Sequence, residues 1–204
     1  MSVRVVWLEF GQLSSFRLGG SSQVTRPGFT LFMTGLSGAG KSTLSRMLAE
    51  RITALTGRPV TLLDGDVVRR LLSSELGFSR EHRNLNIARI GYVAGEVTRH
   101  GGVAICAAIA PYEEGRRHAR ELVSKGGQFV EIYMATPLDV CEKRDPKGLY
   151  ARARRGEIKG FTGIDDPYEP PSHPELTMDA SNSSPEESAE LVIEYLRRRA
   201  LLGP

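Results

Sequence analysis

"GLSGAGKS", residues 35–42, fits the pattern GxxxxGK[S/T] and stands between a short apolar run, "FTLFMT" at 29–34, and a segment of helical periodicity. A strand would deliver the chain to a glycine-rich turn whose backbone N–H groups can wrap an anion without side-chain collision. A helix starting at once would aim its first amides at the same anion. On this reading Gly35, Gly38 and Gly40 form a phosphate cradle, Lys41 reaches the β- and γ-phosphates, and Ser42 offers a hydroxyl to a magnesium ion. The alternative, a glycine-rich turn that only caps a helix, is set aside because motif and context agree. The loop does not say where a phosphoryl group would go. The GTPase base-reading motif NKxD is missing, as is an apolar strand ending in Asp-Glu of the motor ATPase kind.

Outward from the loop, Leu44, Met47, Leu48, Ile52 and Leu55 recur at helical spacing up to Gly57. "VTLLD" at 60–64 reads as a second buried strand, followed by a helix over about 66–75 and a longer one capped by Ser79. "VAICAAI" at 103–109 and "FVEIYM" at 129–134 are the third and fourth strands, with a helix over 112–124 between them. Pro137 opens a brief helix through Cys141, "ELTMD" at 175–179 is the fifth strand, and Pro185 starts a terminal amphipathic helix carrying Leu191, Ile193 and Leu196. Strands alternating with helices predict an α/β fold, a parallel sheet of about five strands with helices on both faces.

The 204 residues suit one domain over 29–204, with 1–28 as an extension or linker, or as the end of a truncated upstream domain. A net charge of +3 argues neither for nucleic acid nor for an anionic membrane. Arg4 and Glu9 break the N-terminal apolar positions, so no signal peptide is expected, and no run is long enough to span a membrane. Cys106 and Cys141 have no metal-ligand or CxxC spacing; they read as buried free thiols in a reducing, cytoplasmic setting.

In "LLDGDVVRRLL", residues 62–72, Asp64 and Asp66 flank Gly65 at the C-terminal end of the second strand, where ligands of parallel sheets bind. Two carboxylates there can hold magnesium through water and orient, or take a proton from, an acceptor hydroxyl. Arg69, three residues on, can clamp an anion. The competing reading is an N-capping Asp among solvated charges. Farther along, Arg83 and Asn86 share a helix face, with Phe78 in the turn before it; each also has a plain reading, as wet helix surface or as a core plug. "RGEIKGFTGIDDPYEPP", residues 155–171, has no apolar rhythm and reads as a lid, a binding loop or a linker.

Taken together, "GLSGAGKS", "LLDGDVVRRLL", "LGFSREHRNLNIARIG", "APYEEGR", "VCEKRDPKGLYARARRGEIKGFTGIDDPYE" and "PELTMD" resemble the adenylylsulfate kinases, a P-loop kinase family, over roughly residues 28–200. The resemblance implies magnesium-bound ATP as donor and the 3′-hydroxyl of adenosine 5′-phosphosulfate as acceptor. It implies a homodimer, and ATP sulfurylase as a functional or fused partner. Carried over by position, the ATP phosphates lie on Gly38, Ala39, Gly40, Lys41, Ser42 and Thr43, and Ser183 in "SNSS" lies near the adenine. The acceptor contacts Asp64, Gly65, Asp66, Arg69, Phe78, Arg83, Asn86, Ile109 and Ala110, then Lys147, Lys159, Gly160 and Phe161 on the far side. Lys41, Asp64 and Asp66 are the catalytic candidates, and Ser42, Asp64 and Asp66 the metal candidates; either aspartate can be the proton acceptor. Within this frame the segment from about 145 to 171 becomes a mobile lid, with Arg152, Arg154, Arg155 and Lys159 as its positive charge and Phe161 as a stacking face. The family's usual Asn, Ser and basic or polar residue are replaced by Val67, Ala110 and Glu113. Two other readings stay open, a gluconate- or shikimate-type metabolite kinase and a non-catalytic nucleotide-binding domain.

Overall fold

The computed structural model describes residues 27–203, so the expected N-terminal extension lies almost wholly outside the described residues. Five parallel strands form one sheet in the order β2-β3-β1-β4-β5, where β1 is Gly28–Thr34, β2 Val60–Asp64, β3 Val103–Ala107, β4 Gly127–Met134 and β5 Leu176–Met178. β1 is central and all seven of its residues are buried, as expected where both faces are covered. Alternation along it divides the core. Phe29, Leu31 and Met33 face α1 (Lys41–Thr56) and the later α7 (Pro185–Arg198), while Phe32 joins Ile87, Ile90, Ala94, Cys106 and Ala119 on the other face. The latter side is built by α3 (Arg80–Arg99) and α4 (Glu113–Ser124). Gly91 lets them close up, because a Cβ there would stand 2.7 Å from the Cα of Ala119.

β2 is an edge strand, not a buried one: Thr61 and Leu62 are exposed and only Leu63 is buried. An apolar run of five looks the same at an edge and in the centre of a sheet. The helix expected over 66–75 is α2 (Gly65–Leu71) and stops short. Two arginines satisfy the carbonyls that follow: Arg89 of α3 donates to Leu72 O at 2.6 Å, and Arg69 of α2 itself to Gly77 O at 2.9 Å. Pro137 is the N-cap of α5 (Leu138–Arg144) rather than its first residue, and α5 runs past Cys141. α6 (Leu149–Arg154) was not foreseen; the Asp145 carboxylate receives the N–H groups of Tyr150 and Ala151 at its start. Leu55 and Leu191 are about half exposed: the buried stripe of α1 runs through Leu44, Leu48 and Ile52, and that of α7 through Ala189, Val192, Ile193 and Leu196. Ser184 caps α7 in a reciprocal capping box with Glu187. Both cysteines are free and buried.

β3 ends two residues earlier than its apolar run suggests. Ala110 adopts φ 45°, a left-handed conformation that costs an L-residue about 1–2 kcal/mol. That bend turns the chain across the C-terminal ends of the strands.

Candidate active site

The strand ends open into a cavity of about 890 Å³. Its first wall is the loop between β1 and α1. Gly35, Gly38 and Gly40 have φ of 140°, 77° and 99°, and a Cβ at Gly35 would meet Met134 O at 2.5 Å. Lys41 is buried, and its Nζ donates to Gly35 O and Leu36 O at 2.8 and 2.7 Å. Burial lowers its pKa from 10.5 to about 8. Gly38, Gly40, Lys41, Ser42 and Thr43 line the cavity, and Ser183 lies across from them. Gly35 and Ala39 do not line it: Gly35 makes the turn possible from behind, and the Ala39 side chain is packed in the core.

Ser42 Oγ donates to Asp64 Oδ2 at 2.8 Å, and Asp64 Oδ1 accepts from the Asp66 N–H at 3.0 Å. Asp64 is therefore the N-cap of α2, as the plainer reading has it, and at the same time a carboxylate hydrogen-bonded to the phosphate loop. Asp66 is exposed and ion-paired with Lys147. Among the described residues no three His, Cys, Asp or Glu converge into a self-contained metal cage. The Ser42 hydroxyl and Asp64 carboxylate, 2.8 Å apart beside the phosphate loop, instead suit a hard cation that draws its other ligands from phosphate oxygens and water.

The second wall brings together the acceptor-side candidates. Phe78 is no core plug; it is 64% exposed, with the Arg69 guanidinium 4.5 Å and the Arg83 guanidinium 5.5 Å from its ring centroid. Arg83 and Asn86 are buried rather than on a wet face. Arg83 donates from Nε to Phe78 O at 2.8 Å and from Nη2 to Gly160 O at 2.6 Å, tying the 155–171 stretch to α3. Asn86 Oδ1 is buried without a hydrogen-bond partner in the protein, an acceptor left for something in the cavity. Gly65, Ile109, Ala110, Lys147, Lys159 and Gly160 complete the lining with Phe161, whose ring is set edge-on against Tyr150 at 5.0 Å.

Arg152, Arg154 and Arg155 do not supply charge to the cavity. They are ion-paired with Glu157, Glu142 and Glu157, and only Lys159 of the four basic candidates lines it. The return leg of the stretch is also fixed in place. Tyr112 donates to the Asp166 carboxylate at 2.9 Å, Glu169 N donates to Pro111 O at 2.7 Å, and Asp165 receives the N–H groups of Gly160 and Phe161. Sequence reasoning missed Arg144, which bridges Gly38 O at 3.3 Å and Ala180 O across the cavity mouth. Its only local signal is a basic residue in the last turn of a short helix.

The family model described as adenylylsulphate kinase matches residues 27–179. The adenylyl-sulfate kinase of Synechococcus sp. (strain JA-3-3Ab) is 50% identical over 177 residues, covering 87% of this chain and 98% of that one. The solved structure of the Mycobacterium tuberculosis APS kinase in complex with AMPPNP and APS superposes with a TM-score of 0.79 at 44% identity, over 84% of this chain and 98% of that chain. The sulfate adenylyltransferase of Aspergillus clavatus is 50% identical over 179 residues, or 87% of this chain, but the chain spans only 31% of that relative's length.

Proposed function

The chain belongs to the adenylylsulfate kinase family, and on that premise we propose that it transfers the γ-phosphoryl group of ATP to the 3′-hydroxyl of adenosine 5′-phosphosulfate, giving 3′-phosphoadenosine 5′-phosphosulfate and ADP. One observation carries the reading: a phosphate loop and the Arg69–Phe78–Arg83–Asn86 cluster open into the same cavity. The loop takes the triphosphate. The cluster offers two guanidinium groups for the phosphosulfate, an exposed ring for the base and an unpaired acceptor on Asn86.

In the transfer, Lys41 exchanges its two backbone carbonyls for phosphate oxygens and offsets the charge that grows on them. Ser42 and Asp64 are the residues that would hold magnesium arriving with the donor nucleotide, and the ion would supply neutralisation of the phosphate charge. Asp64 is already engaged by Ser42 and by the first turn of α2. Asp66, whose partner is a side chain from the opposite wall, is therefore the carboxylate that orients the attacking hydroxyl and takes its proton late in the transfer.

The kinase domain spans 29–204, and within the expected lid of about 145 to 171 the exposed part around residues 155–159 closes over bound nucleotides. The protein acts in the cytoplasm as a homodimer and works with an ATP sulfurylase, either separate or joined in one longer chain. The exposed Leu71, Leu72 and Tyr92 along α2 and α3 support the pairing of copies. A coupled assay of ADP release tests the activity. Adenosine 5′-phosphosulfate should stimulate release strongly; stimulation by gluconate or shikimate instead would replace the acceptor, and nucleotide binding without any release would leave a non-catalytic domain.

A further inference from the structure

The bend at Ile109–Ala110 belongs to both halves of the cavity. Ile109 O accepts from the N–H of Gly35, the first residue of the phosphate loop, at 3.3 Å, and from Thr34 Oγ1 at 2.7 Å. Ile109 and Ala110 also line the acceptor side. Ala110, as an L-residue at φ 45°, holds this shape only if something behind it does the holding. Arg116, 1% exposed on α4, is the closer of two donors that do so: its Nη1 donates to Ala110 O at 2.8 Å, and Thr34 Oγ1 reaches the same oxygen at 3.3 Å. The other guanidinium nitrogens are fixed from outside. Nη2 donates to Glu113 Oε2 at 2.6 Å, and Nε lies 3.1 Å from Glu131 Oε1 as an ion pair without hydrogen-bond alignment. The guanidinium also sits 5.9 Å from the ring of Tyr168, whose hydroxyl is 2.8 Å from the same Thr34 Oγ1.

We infer that Arg116 is a positioning residue for phosphoryl transfer: it never meets a substrate, but by clamping the Ala110 carbonyl it sets the distance between the donor loop and the acceptor wall. Resting on the kinase reading above, this assigns α4 a part in alignment that no cavity-lining residue reveals. In-line transfer is sensitive to such spacing, since a displacement of one ångström between reacting groups costs about a hundredfold in rate. The spacing is held through backbone atoms, so its loss should act on turnover more than on binding of either nucleotide.

The substitution Arg116→Lys keeps a positive charge beside Glu131 but cannot serve Ala110 O, Glu113 and Glu131 together. It should lower kcat by about tenfold or more while the KM for ATP stays within about twofold. Hydrogen exchange of the Gly35 amide, bonded to Ile109 O, and of the Ala108 amide, bonded to Met33 O at 3.2 Å beside the bend, should quicken by about tenfold, and that of α1 should not. Adding Ala110→Gly, which removes the strain at φ 45°, should recover about threefold or more of the lost kcat. If Arg116 serves only to neutralise Glu131, Ala110→Gly will recover nothing and the pair Arg116→Met/Glu131→Gln will restore activity. Either result overturns the inference, as does an unchanged kcat in Arg116→Lys. Should the unmodified protein show no acceptor-stimulated ADP release, the kinase reading fails by itself, and the exchange rates still decide whether Arg116 holds the bend.

Discussion

At the scale of single residues the most telling group is Lys41. Burial holds its pKa at about 8 rather than 10.5, and two backbone carbonyls take the place of a counter-charge. Bound phosphates favour the charged form, so nucleotide binding above pH 8 must draw in a proton. Calorimetry of ADP binding at about pH 8.5, in buffers of different ionisation enthalpy, should register an uptake that vanishes near neutral pH and in Lys41→Met. Affinity should fall as pH rises through 8. In the free protein the same shift works the other way: between pH 8 and 10.5 only the unfolded chain keeps the proton on Lys41, so this residue's contribution to stability rises with pH. The phosphate-loop residues were legible because their spacing is local and each residue type has one job there. Arg152, Arg154 and Arg155 misled because charge count alone does not say which basic residues are already neutralised: Glu157 takes two of them from close by, and Glu142 of α5 takes Arg154. Arg144 was silent because it acts on carbonyls 106 and 36 residues away.

Among the elements, the irregular stretch after α6 divides into two parts that behave differently. Residues on its return leg are bonded to α3 and to the 109–113 turn through Arg83, Tyr112, Pro111 and Glu113. Residues 155–159 are exposed apart from the half-buried Ile158, and their ion pairs run only between Arg155 and Glu157 and back to Arg152 of α6. Only this leading part can swing as a flap, on Gly156 and Gly160, both at positive φ with nothing near where a Cβ would be. Trypsin should cut first after Arg155 or Lys159, and ADP with acceptor should slow that cleavage by about tenfold. Equal cleavage with and without nucleotides would show that nothing closes. Long elements such as α3 and α7 declared themselves through caps and periodicity. α6 did not, since six residues are too few to show a period, and the carbonyl just past the early end of α2 is satisfied by Arg89 from another segment.

At the scale of the whole molecule the alternation of strands and helices was enough for a parallel α/β sheet, but not for the order of its strands, which hides the fact that β2 is an edge. Exposed Leu71, Leu72 and Tyr92 lie on that side of the sheet. If copies pair there, light scattering should give twice the monomer mass, and Leu72→Asp with Tyr92→Arg should yield a folded monomer with an unchanged melting midpoint at low protein concentration. The strand order also bears on how such a molecule can change over generations. The donor loop springs from β1, flanked by a strand on either side and buried along its length, whereas Asp64 and the turn into α2 hang from a strand bonded on one side only. Substitutions in the centre disturb two neighbours and the core, but those on the rim disturb one. Exchanges at Asp64 and in the turn into α2 should therefore cost the fold less than exchanges along β1, which makes the strand under the donor loop the less replaceable support of the site.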